Sequence, residues 1–295
     1  MWGRKKRFEI ISSPKISAVY FGLLQGGYEY FASGRRPEDI RLWEGWRDLP
    51  IGYDTSFFKL ARQSTSSAYP YWPRAAMLET ATFFVDAQSA RFQDFKAYHL
   101  HISAADNIQD RERNQDFWNW VKGFPKALCN VMSCAGFGHY RLWEESWVRQ
   151  QADAHRQALQ HLEKVISYYI RRYGLPVAKV SVVLCPLKCK YSADYHRQQD
   201  AFCAIAGELR PDSVLHEFLH LVMHPLVQKH SDAILALRNL QRLGLEESYF
   251  LDQGERGKLY AFEEYAVREA AELAAGGNYQ TGLEQYLLSL IKALA

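Results

Sequence analysis

The stretch RPDSVLHEFLHLVMHPLV (210–227) spaces His216, Glu217 and His220 as H-E-x-x-H and sets His224 one turn further on. An α-helix turns once every 3.6 residues, so His216 and His220 would lie one above the other on one face. Their imidazoles could then converge on a single metal ion. Glu217 would lie about 100° round the axis, close enough to reach a water on that ion without being a ligand. That arrangement suits hydrolysis. Zinc lowers the pKa of a bound water toward about 7, and the carboxylate takes the proton and passes it to the leaving amine. The plain alternative is an amphipathic helix that carries histidines and no metal.

Two histidines leave a tetrahedral zinc short of a protein ligand. The longer H-E-x-x-H-x-x-G-x-x-H pattern fails, because Met223 and Leu226 stand at its Gly and His positions. His224 is eight residues from His216, about 12 Å along a helix axis, so a straight helix does not bring all three to one ion. Pro225 is also expected to push His224 out of helical geometry. His224 is therefore assigned to the helix end or to substrate rather than to the metal. The third ligand is expected in YAFEEYAVREAAELAAGG (260–277), a helical run closed by Gly276 and Gly277. Glu263 and Glu264 are adjacent and cannot both face the metal; Glu264 is preferred and Glu263 is the alternative.

Glu264, Arg268 and Glu272 form an i, i+4, i+8 stripe. It reads either as an exposed ion-pair row or as a ligand held by Arg268 beside it. Glu269 could similarly support a histidine. Glu246, Glu247 and Glu255 fall in RLGLEESYFLDQGERGK, which reads as a loop. An oxyanion needs a donor besides the metal; Tyr249, Tyr260 and His230 lie in the right region, and spacing does not choose among them. His99 and His101 would share a face if AYHLHI is a strand, but no third ligand accompanies them.

These groups need elements to hold them. Apolar spacing predicts helices near 15–33 and 74–92, and a long one over 145–174 that ends in RRYG before Pro176. AKVSVVLCPL (178–187) reads as a buried strand, and DAFCAIAGEL (200–209) as a second. The AIAGEL run is expected to be a sheet edge onto which an extended peptide could add. Asp212 or Ser213 is the expected cap of the H-E-x-x-H helix, and TGLEQYLLSLIKALA (281–295) a closing helix. Two parts are expected: an aromatic-rich, mainly helical part over 1–140, and a catalytic part over 141–295.

Composition narrows the class. The chain has 295 residues, 48% hydrophobic and 23% charged, as in a soluble globular protein. Its 36 Lys plus Arg against 33 Asp plus Glu give +3, too small a surplus to imply nucleic acid. The basic run RKKR (4–7) reads as a solvated end. The apolar stretch after it is broken by Glu9, Pro14 and Lys15, so no signal peptide is expected, and no window suggests a membrane span. Five cysteines without C-x-x-C spacing read as reduced thiols of a cytoplasmic protein. No P-loop, dinucleotide fingerprint or G-x-S-x-G occurs.

The H-E-F-L-H run with a downstream helical glutamate resembles the gluzincin class of zinc metallopeptidases. More narrowly, VLHEFLHLVMHPLV followed by EEYAVRE resembles the DUF4932 family of metallopeptidases, over roughly 178–275. The resemblance implies His216 and His220 as zinc ligands, Glu217 as base, Glu264 as third ligand and Arg268 as the arginine that follows it. His224 stands where that family often has Asn. The expectation is an α+β, zincin-like fold: a small mixed sheet with the active-site helix, and a mainly helical remainder. Its function would be zinc-dependent hydrolysis of a peptide or protein substrate, with no nucleic-acid or membrane partner. The alternative is an inactive zinc-binding or protein-interaction module.

Overall fold

The computed structural model describes residues 8–28, 37–63, 74–105, 110–189, 193–237 and 254–295. The protein is a mixed α+β chain, mostly helical, built on one four-stranded sheet. In chain order its main elements are β1 (Phe8–Ile11), α1 (Pro14–Gln25), α2 (Pro37–Arg47), α3 (Ser56–Lys59) and α4 (Arg74–Ala81). The hairpin β2 (Val85–Asp86) and β3 (Arg91–Phe92) precedes α5 (Phe95–Ala104), α6 (Gln115–Val121), α7 (Phe124–Met132), α8 (Ala135–Ala154) and α9 (Arg156–Arg172). Then come β4 (Lys179–Leu184), β5 (Ala193–Gln198), β6 (Ala201–Ala206), α10 (Pro211–Lys229), α11 (Ser231–Leu235), α12 (Gly254–Ala275) and α13 (Leu283–Leu294).

The sheet runs β1-β4-β6-β5. β1 pairs in parallel with β4 and β4 in parallel with β6, while β5 runs antiparallel to β6 and forms one edge. Side chains alternate across a strand, so the sheet has two apolar faces. Val180, Val182, Leu184, Phe202 and Ala204 join the cluster under α9, α10 and α12. Val183, Cys185 and Ile205 join the cluster formed with α1, α4, α7 and the aromatic residues of the first 140 positions. Among the described residues, no helix is long and apolar enough to cross a membrane.

Several expectations are corrected. β6 is interior, so the AIAGEL run is not an edge; that place is taken by ADYHRQ (193–198). The run AYHLHI lies in α5, capped by Asp94, whose side chain accepts the Ala97 N–H. Helix over 74–92 stops at Ala81 and gives way to the β2–β3 hairpin. The helix expected over 145–174 is two helices that meet at His155. The helix expected over 15–33 ends at Gln25, and 29–36 lie outside the described residues.

α10 starts with Pro211 at its first turn, where the missing N–H costs nothing. Arg210, not Asp212 or Ser213, takes the cap position, with no side-chain cap bond. Along α12 the buried positions include Ala261, Ala266, Ala270, Ala271 and Ala274. Small side chains let the helix axes approach, and α10 packs along α12.

Candidate metal site

His216 and His220 project from α10 toward α12, and Glu264 meets them. His216 Nε2 lies 3.2 Å from His220 Nε2 and 3.2 Å from Glu264 Oε2, and His220 Nε2 lies 3.4 Å from Glu264 Oε1. One ligand atom from each residue falls within 4.8 Å of the others. Tetrahedral zinc with bonds of about 2.0–2.1 Å separates its ligand atoms by about 3.3 Å. The donor set and its spacing therefore fit a small divalent cation. His216 and Glu264 side chains are about one-fifth exposed, so the cluster opens to the surface on their side.

The tautomer of His220 follows from its other nitrogen. Nδ1–H donates to Glu263 Oε1 at 2.8 Å, which turns Nε2 toward His216 and Glu264, where it offers a lone pair once its proton is given up. The second oxygen of Glu263 accepts from His224 Nδ1 at 2.8 Å. Glu263 is thus a buried bridge between two histidines, and Glu264 is the carboxylate in the cluster. α10 continues through Pro225 to Lys229, so the proline does not expel His224 from the helix. His224 instead stays on the face toward α12. The ring of Pro225 removes one intrahelical bond, and packing against α12 keeps the helix continuous.

Charge around the cluster favours a cation. Burial pushes His220 down, but the Glu263 hydrogen bond and the charges of Glu264 and Glu217 carry it up to about 9. Burial pulls Glu264 upward, yet His216 and His220 hold it below its ordinary value. Burial likewise opposes ionisation of Glu263, and its bonds to His220 and His224 overcome this. Glu217 behaves differently. Burial pushes its carboxyl well above the usual range, with Asp194 and Glu264 adding to the rise against the pull of His220.

Two tyrosines complete the surroundings. Tyr260, one turn before Glu264 on α12, is held neutral by burial and by the charges of Glu264 and Glu263. Tyr195, on the edge strand β5, stacks on His220 with ring centroids 5.9 Å apart and planes 14° from parallel. Burial and the charges of Glu263, Glu217 and Glu264 push its hydroxyl upward as well. Sequence reasoning missed Tyr195. Its only signal was the alternation within ADYHRQ, which brackets one aromatic between polar residues.

The remaining candidates fall elsewhere. Arg268 is exposed and acts on Glu264 as a nearby positive charge; among the described residues it makes no hydrogen bond to it. His230 caps α10 and bonds to Glu284 at 3.0 Å. Glu269 supports no histidine among the described residues; its charge acts on Tyr286. Glu255 lies in the first turn of α12 rather than in a loop. Tyr249, Glu246 and Glu247 lie outside the described residues. No family model, curated protein or solved structure matches this chain.

Proposed function

We propose that this chain is a zinc-dependent metallopeptidase of zincin-like build, with His216, His220 and Glu264 as metal ligands and Glu217 as general base. The observation that carries the reading is the convergence of His216, His220 and Glu264, one ligand atom from each lying within 4.8 Å of the others, with Glu217 next to His216 on the same helix. The resemblance of HEFLH and EEYAVRE to gluzincins and to the DUF4932 pattern supports the same assignment of residues. When bound, zinc would supply a Lewis acid and lower the pKa of a water.

The chain's own groups do the rest. His216 and His220 present lone pairs, and Glu264 supplies negative charge that offsets a dication. A cation between the histidines favours ionised Glu217 by opposite charge. Glu217 then accepts a proton from water and returns it to the nitrogen that leaves. Neutral Tyr195 and Tyr260 can donate hydroxyl hydrogen bonds to oxygen charge that develops beside the cluster. Among the described residues the backbone of β5 is paired on one side only, an edge along which an extended peptide can add. The proposed setting is the cytoplasm, in line with five unpaired cysteines.

Metal analysis and peptide cleavage by wild type, Glu217→Gln, His220→Ala and Glu264→Ala test the reading. Glu217→Gln should keep zinc and lose at least about a hundredfold in activity. The other two should lose zinc. A wild type that binds zinc and cleaves no peptide would instead be a zinc-binding module; a wild type that takes up no zinc removes the reading altogether.

A further inference from the structure

A second group of buried charges lies on the far side of the sheet edge. Lys188 and Glu79 are almost fully buried, with side chains 3% and 0% exposed, and their charged atoms are 2.9 Å apart. Lys188 Nζ also donates to the Tyr20 hydroxyl at 2.9 Å and to Asp194. Tyr20 in turn donates to Glu79 Oε2 at 2.6 Å, and the other oxygen of Glu79 is 2.8 Å from His196 Nε2. Burying charges this deeply is costly unless each is paired and hydrogen-bonded. Here each is.

The five residues come from distant parts of the chain. Tyr20 lies on α1, Glu79 on α4 and Lys188 in the turn after β4, while Asp194 and His196 are both on β5. In a strand, successive side chains point to opposite faces. Asp194 and His196 therefore face the charge cluster, and Tyr195 between them faces His220. Among the described residues β5 is bonded to β6 alone and so lacks the second neighbour that holds an interior strand. His196 is tied directly to Glu79 of α4, and Asp194 is tied through Lys188 to Glu79 and to Tyr20 of α1.

We propose that Tyr20, Glu79, Lys188, Asp194 and His196 form a rear anchor that positions Tyr195 over His220, so that α1 and α4 fix one wall of the candidate metal site. None of the five is a catalytic residue; they are positioning residues that act through β5. The importance of Tyr195 rests on the metal-site reading, whereas its placement by the anchor does not.

Histidine-labelled full-length protein tests this by NMR. The stacked tyrosine ring displaces the His220 ring resonances, and Tyr195→Leu marks their unstacked position. Lys188→Met combined with Glu79→Gln removes both charges together and leaves no lone ion of that pair buried. Asp194→Asn is the milder variant. Each should fold by circular dichroism and move the His220 signals toward the Tyr195→Leu position. Where a cleaved peptide is in hand, kcat should fall roughly ten- to a hundredfold with KM little changed. Should the double variant fail to fold, Asp194→Asn decides in the same way. Folded variants with His220 signals unmoved from wild type overturn the proposal, as does a Tyr195→Leu protein whose His220 does not shift. Zinc uptake by the same wild-type sample separates the two readings: failure to bind zinc removes the metal site and leaves the NMR comparison intact.

Discussion

Glu263 and Glu264 are neighbours with different tasks, and the difference comes from helix geometry. One residue of rotation turns Glu264 into the histidine cluster and Glu263 against the Nδ1 sides of His220 and His224. A carboxylate on the far nitrogen of a ligating histidine fixes its tautomer and raises its basicity. On the proposed metal site, Glu263→Gln should therefore weaken zinc binding by about ten- to a hundredfold, read by competition with a chelator. An unchanged affinity would mean that Glu263 serves packing alone. His216, Glu217 and His220 were legible in the sequence because their relation is local to one helix. The bridging role of Glu263 was not, since it depends on how two helices 40 residues apart are rotated against each other. Nor was that of His224, whose bond to Glu263 needs α10 to run unbroken past Pro225.

At the scale of elements, the sheet edge decides what surrounds the site. AKVSVVL was legible as a strand because both its faces are buried and its residues are β-branched. ADYHRQ was not, because Asp194 and His196 are polar for the sake of buried ionic partners rather than of solvent. β1 was equally hidden: its partner β4 lies some 170 residues along the chain. The turn that carries Lys188 is clamped by Gly207, just past β6. A Cβ there would come within 2.5 Å of the Lys188 and Cys189 carbonyl oxygens, which are backbone atoms and yield little. Gly207→Ala should cost at least about 1–3 kcal/mol in urea unfolding. Gly138, inside α8 with nothing near its missing side chain, is the control: Ala there should add about 0.5–1 kcal/mol. Equal effects at the two positions would show that the turn can shift and that Lys188 is not held by it.

Across the whole molecule, two apolar clusters lie back to back on one sheet, and the seam between them holds ionised groups as well as aliphatic ones. Burial opposes the charge on Glu79, but Lys188, His196 and Tyr20 hold its carboxyl down at about 2. A depressed carboxyl stabilises the fold above its unfolded value, near 4.5, and that contribution fades as the pH falls toward 2. Removing it is worth roughly 3 kcal/mol over that window. Glu144, on the same side of the sheet, acts in the opposite sense. Burial raises it despite bonds from Ser17, Tyr140 and Arg141, so its contribution is present at low pH and is lost as the pH rises through its folded value. Glu144 is common to wild type and to the Lys188→Met, Glu79→Gln double variant, and cancels when the two are compared. Chemical denaturation between pH 5 and 2 should accordingly show stability falling faster with acid in wild type than in the variant. Parallel curves would mean that the Glu79 charge is not held by its partners, and the coupling of the N-terminal helices to the sheet edge would then rest on packing alone.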